Sequence, residues 1–252
     1  MKDGKLGVAI HGVGQVAYAH AASWLKNPHV KIVWVTSNRR ESAQRLVDQF
    51  KLDCNVGVDY EQVIEDDRVD VVNLSGPNHV HTPQGVAAAE AGKHILMEKP
   101  MCISMEENRA LRDAVARAGV KSVVSFVLRW NPLVKNLKAL LAEGAIGDLF
   151  YVEVDYWHGL ADWWTGFGWG HTLASGRSTM LTGGCHAVDA IRWLAGEEIA
   201  EVSAFANNVK HKFEYPANVV AALRFQSGAI GMTSALFDAE MPYQFNIDLA
   251  GT

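Results

Sequence analysis

The chain has 252 residues, 49% hydrophobic and 20% charged, with a formal net charge of −5 at pH 7. That apolar content excludes a disordered chain, and the mild acidity excludes a protein built to wrap a nucleic-acid backbone. No run of about 18 apolar residues occurs, so no helical membrane span is expected. The apolar stretch 6–10 is too short for a signal-peptide core, which makes a cytoplasmic location the expectation. The three cysteines, Cys54, Cys102 and Cys185, are odd in number and widely spaced. They read as buried free thiols, without a disulfide framework or a zinc site.

Taken in order, residues 8–10 read as a strand, followed at once by Gly12-Val13-Gly14 and a helix over 16–25 that Asn27-Pro28 terminates. A β-branched strand over 30–36 precedes a helix over 41–50. Strand 70–75 leads to an alanine-rich helix over 83–91, closed by Gly92. Strand 94–97, helix 104–118 and strand 123–126 follow, with Ser104 and Glu107 in a capping-box pattern. Alternating unbroken apolar strands and helices predict a parallel, doubly wound sheet.

Beyond residue 126 the pattern changes. A helix over about 132–143 precedes a strand over 149–157, where Phe150, Val152, Val154 and Tyr156 recur at period two. A helix near 186–194 is followed by strands over 202–206, 219–225, 229–236 and 245–249, with a hairpin signal at Gln226-Ser227-Gly228. The expected architecture is therefore a dinucleotide-binding domain over 1–126 and an α+β domain over 127–252, built on an open, mostly antiparallel sheet.

Gly12-x-Gly14-x-x-Ala17 lies between a strand and a helix. Glycines there let a backbone approach a pyrophosphate, while Gln15 and Val16 open the helix with unsatisfied N–H groups. An acidic residue at the end of the second strand would favour NAD. The segment reads Thr36-Ser37-Asn38-Arg39-Arg40 instead, which suits a 2′-phosphate and leans to NADP, although a solvated basic turn is the alternative. Glu98-Lys99-Pro100 ends a strand, where open α/β sheets bind ligands, and reads equally as active-site chemistry or a surface ion pair. His79 and His81 lack accompanying metal ligands, so no metal site is expected; they line the cofactor cleft or cap a helix. Trp157, Trp163, Trp164 and Trp169 sit among glycines, which suits a sugar-stacking lid or packing against a second subunit.

With Gly76-Pro77-Asn78-His79-x-His81, the stretch from Ala91-Gly92-Lys93-His94 to Glu98-Lys99-Pro100, Arg129-x-x-Pro132, Glu143-Gly144-x-Ile146-Gly147 and Gly184-x-His186-x-x-Asp189, the chain resembles the Gfo/Idh/MocA family of nicotinamide-dependent oxidoreductases. The resemblance implies an N-terminal Rossmann domain holding NADP or NAD. It also implies a C-terminal sheet that offers one face to substrate and partner subunits, giving a homodimer or homotetramer. Sugars, inositols and related polyols are the implied substrates, oxidised at a secondary alcohol or reduced as ketones. Lys99 and His186 match the catalytic lysine and histidine. Pro77, Asn78, His79, Glu98 and Lys99 join Gly12, Gly14, Gln15, Val16, Ser37, Arg39 and Arg40 at the cofactor. Tyr156, His158, Thr182 and Asp189 join Lys99 and His186 at the substrate. Thr182 stands where the family carries an aspartate, so a neutral hydrogen bond is expected to replace a charged orienter. The sequence stops where family members continue, so it reads as truncated. A non-catalytic dinucleotide sensor and an NAD-dependent glycosidase are the alternative readings.

Overall fold

The computed structural model describes residues 4–252. The chain divides into two compact units, one ending at Ser125 and the other beginning at Phe126.

The first unit runs β1 (Leu6–His11), α1 (Gln15–Leu25), β2 (Val30–Thr36), α2 (Arg40–Phe50), β3 (Asn55–Gly57), α3 (Glu61–Glu65), β4 (Val71–Leu74), α4 (Asn78–Glu90), β5 (His94–Met97), α5 (Met105–Ala118) and β6 (Ser122–Val124). Its six strands are all parallel, in the order β3-β2-β1-β4-β5-β6. This is the doubly wound arrangement, with the reversal of strand order between β1 and β4. Val8, Ala9 and Ile10 of β1 are fully buried, as a strand covered on both faces requires. Helix α1 buries only Ala17 and Ala21, and such small side chains allow close helix–sheet packing. Ser104 caps α5 by accepting from the Glu107 N–H; the Glu107 carboxylate accepts the N–H of Ile103.

Four features differ from the sequence reading, the first being the strand expected over 123–126, which is found at Ser122–Val124. The short β3 and α3 carry too few residues to show a period. Helix α4 begins at Asn78, five residues before the expected start, with Pro83 inside it. Proline there removes one helical N–H. The first turn is held by buried Asn78, His81 and Thr82 instead. The three cysteines are free, as expected, but half-buried rather than buried.

The second unit starts with a 3-10 turn, Val127–Trp130, then α6 (Pro132–Ala142), β7 (Leu149–Trp157), α7 (Phe167–Gly170), α8 (Thr179–Thr182), α9 (Cys185–Ala195), β8 (Ile199–Asn207), β9 (Asn218–Phe225), β10 (Ile230–Leu236) and β11 (Gln244–Gly251). The sheet order is β11-β7-β10-β9-β8. It is antiparallel except where β10 pairs with β7. Helix α9 packs Ala187, Ala190, Ile191 and Leu194 onto one face, against Val152, Val154, Ala221 and Leu223. Residues three and four apart fall on one stripe of a helix, which explains that set. Among the described residues no helix is long and apolar enough to cross a membrane.

Candidate active site

In the first unit the expected cofactor residues gather at the carboxyl ends of four neighbouring strands. Gly12 follows β1 with φ +88°, and a Cβ there would lie 2.6 Å from the Gly76 amide nitrogen, so the fold itself demands glycine. Gly14 is different. It N-caps α1 with φ −67°, and the nearest atom to a Cβ added there would be the Ser75 carbonyl oxygen at 4.0 Å. No protein atom excludes a side chain at that point. The space above the start of α1 is open, and no side chain caps the helix. Exposed Gln15 and Val16 open that helix. Open backbone, a helix N-terminus and a strand-order reversal together fit a dinucleotide pyrophosphate.

Buried polar pairs brace the loops around this space. The His11 ring, at the end of β1, contacts the Thr36 hydroxyl on β2 at 2.8 Å and accepts from the Gln84 amide of α4 at 2.8 Å. It also packs on Tyr60 at 4.5 Å. Burial lowers its pKa to about 4, so the ring is neutral. His81 sits inside α4 with its two ring nitrogens 2.7 Å from the Pro100 carbonyl and 2.9 Å from that of Gly76. It therefore ties the turn after β4 to the turn after β5, whereas His79 is exposed. No sequence pattern marked His11; the signal available was a histidine ending an apolar strand just before the first glycine.

Two expected cofactor ligands are committed elsewhere. The Glu98 carboxylate is buried; it contacts His20 of α1 at 2.9 Å and accepts the Lys99 N–H at 3.2 Å. Burial alone would raise its pKa, but the bond to His20, the charge of Lys99 and the Ser125 hydroxyl hold it below the usual range. Its side chain fixes the backbone that carries Lys99. Arg40 donates to the Val56 carbonyl of β3 at 2.9 Å, so it braces a strand end. Arg39 is exposed and Ser37 is buried beside it.

In the second unit Tyr156, His158 and His186 come together. His186, second residue of α9, is buried; Tyr156 stacks on it at 6.0 Å and Phe126 meets it edge-on at 6.1 Å. The Tyr156 hydroxyl lies 3.2 Å from His158 Nδ1, and burial pushes that phenol above its usual range. Thr182 and Asp189 were expected here and point elsewhere. The Thr182 hydroxyl, buried, donates to the Gly176 carbonyl at 2.7 Å. Asp189 accepts a two-pronged bond from Arg129 at 2.6 and 2.7 Å, and Arg129 lies 5.7 Å over Trp193.

Part of the tryptophan-rich segment packs within its own unit. Trp164 packs inside its own unit: a Cβ on Gly166 or Gly170 would lie 2.5 or 2.3 Å from its ring. The Tyr215 hydroxyl donates to the Gly170 carbonyl at 2.5 Å. These glycines make room for an indole, and only Trp163 of the four is left largely exposed, 5.7 Å from His158.

Two family models account for the chain. Residues 6–126 match the NAD-binding Rossmann fold of the GFO/IDH/MocA oxidoreductases, and residues 134–252 match the GFO/IDH/MocA C-terminal domain. The chain belongs to the Gfo/Idh/MocA family. Within that family it is 27% identical to levoglucosan dehydrogenase of Pseudarthrobacter phenanthrenivorans, over 93% of this chain and 68% of that protein. It is 28% identical to the NAD+-dependent scyllo-inositol 2-dehydrogenase of Bacillus subtilis, over 97% and 71%. The structure of a levoglucosan dehydrogenase complex with NADH and levoglucosan matches with a TM-score of 0.90 and 26% identity, over 98% of this chain and 71% of that one.

Proposed function

We propose that this protein is an NAD(P)-dependent oxidoreductase that interconverts a secondary alcohol and a ketone on a sugar, inositol or related polyol. The match of both halves to this oxidoreductase family carries the reading. Relatives named for levoglucosan, scyllo-inositol and D-xylose support the substrate class. The open approach over Gly14 supports the cofactor.

The bound nicotinamide supplies the hydride donor or acceptor. Gly14 and the N–H groups opening α1 hold its pyrophosphate, and Pro77, Asn78 and His79 line the turn beside it. His186 takes the substrate hydroxyl proton, a task suited to an imidazole near neutral pH. Lys99, held by the buried Glu98, steadies the developing alkoxide. Tyr156 and His158 position the substrate beside His186. Ala at His186 or Lys99 should each lower kcat by about 10²–10⁴ with circular dichroism unchanged. A wild-type rate in His186→Ala would sink the assignment and pass the base to Tyr156 or His158.

NADP is the expected cofactor, through Ser37 and the exposed Arg39; Arg40 is already bonded to β3. Calorimetry with both cofactors tests this: Arg39→Ala should weaken NADP several-fold and leave NAD unchanged. One observation favours a second reading, a non-catalytic dinucleotide sensor: the residue in place of the family aspartate, Thr182, is bonded to Gly176. Cofactor binding without turnover across a polyol panel would select it. The three free thiols fit a reducing compartment such as the cytoplasm.

A further inference from the structure

We propose that a pocket within the second unit takes an anionic group, a phosphate ester or carboxylate, on the end of the substrate remote from the reacting carbinol. This deepens the function proposed above and rests on it. The pocket is a cavity of about 440 Å³, within the range of small-molecule sites. His158, Trp163 and Tyr243 form an aromatic wall, and Lys210, Lys212 and Glu240 line it as well. The wall continues to the candidate base: Tyr243 lies 5.1 Å from His158 and 5.2 Å from Tyr156, which stacks on His186. Aromatic faces suit the C–H faces of a sugar ring. A sugar lying along them directs one end toward His186 and the other toward the lysines.

Of the charged groups lining that far end, two are lysines and one is a glutamate. Lys210 Nζ pairs with Glu240 at 2.7 Å, and the charge of Lys212 also acts on the same carboxylate. A second carboxylate, Asp238, is taken up by backbone N–H groups of Val209 and Lys210 and by the Asn218 amide. Glu240 is weakly tied, because its side chain is 85% exposed, and exposed ion pairs contribute little. It can swing aside for a better anion.

The loop that carries the lysines is held in place. The Asp238 carboxylate accepts the N–H groups of Val209 and Lys210, and the Asn208 amide donates to the carbonyls of Phe213 and Tyr215. A pre-ordered loop loses little backbone entropy when it binds.

The test uses NADH-loaded protein and matched neutral and anionic probes: glucose, glucose 6-phosphate and glucuronate; ribose and ribose 5-phosphate; myo-inositol and its 1-phosphate. Affinities come from calorimetry and tryptophan fluorescence. The anionic member of at least one set should bind tenfold or more tightly than its neutral partner. Lys212→Ala and Lys210→Ala should each cut that ratio at least threefold, and Glu240→Gln should raise it. Gain from removing a carboxylate is an outcome that structural damage would not produce. Tighter binding of both phosphate and uronate identifies a general anion site; tighter binding of phosphate alone identifies a phosphate-ester site. Equal binding within each set, or ratios unmoved by the three variants, overturns the proposal while leaving the oxidoreductase reading in place. No response to any probe in protein that binds NADH removes the sugar and polyol reading itself.

Discussion

His11 shows how one residue couples stability to pH. Its ring is neutral in the folded chain because burial lowers its pKa from 6.5 to about 4. Between those values the unfolded chain holds a proton on this imidazole that the folded chain does not. Stability therefore falls as pH drops from about 6.5 to 4, by up to about 3 kcal/mol, and is level in this respect above 6.5. Urea midpoints measured across that range should show the slope, and His11→Asn should flatten it. Thr182 makes a second point at this scale. Its hydroxyl is the buried partner of the Gly176 carbonyl. Thr182→Val should cost about 1–3 kcal/mol in denaturant unfolding. An aspartate at this position would set a second acceptor against that carbonyl, so restoring the family residue here should destabilise rather than repair.

At the scale of elements, the segment between β7 and α9 packs around Trp164. Gly170→Ala would drive a methyl group into the Trp164 ring at 2.3 Å, whereas Gly168 has no atom within 4 Å of its Cβ position. Gly170→Ala should therefore cost about 1–3 kcal/mol, and Gly168→Ala should be neutral within about 0.5 kcal/mol. Thermal melts of the two variants separate this packing from a hinge. A hinge would make both variants affect kcat and leave their melting temperatures alike.

At the scale of the whole molecule, the open face of the second sheet sets the expected assembly. Successive residues of β9 point to opposite faces of the sheet, so either Val219, Ala221 and Leu223 or their alternates supply this face. Ala221 and Leu223 are 5% exposed and belong to the core under α9, so the alternates supply it. One row across the sheet reads Phe205, Val220, Ser234, Asp155 and Asn246; Ser234 and Asp155 are buried and bonded to each other, so the exposed apolar part is the β8–β9 end. Phe205 is 84% exposed, with Val220 and Ile230 also exposed. Apolar side chains gathered on one flat face usually mark an interface. A homodimer or homotetramer is expected in sedimentation at micromolar concentration, and Phe205→Arg should shift it toward monomer. A wild-type monomer at that concentration would remove the expectation.

The sequence by itself determined the fold class and the order of the longer elements; β3, α3, α7 and α8 are too short to show a period. Buried parallel strands are continuous apolar runs, half-buried ones alternate, and glycines and caps mark the ends; β2, β5 and β7 have the bounds read from their residues. Those signals are local, so one strand or helix is enough to carry them. The tertiary structure alone decided the parallel pairing of β7 with β10, because period two is the same for either direction of neighbour. It also decided where polar side chains point. Glu98, Arg40, Thr182 and Asp189 all look like site residues by type and position, yet each has its hydrogen-bonding group directed to a partner in its own unit. Which partner a buried polar group finds depends on residues 16 to 78 positions away for three of them, and only 6 for Thr182. The chain has to fold before that choice exists.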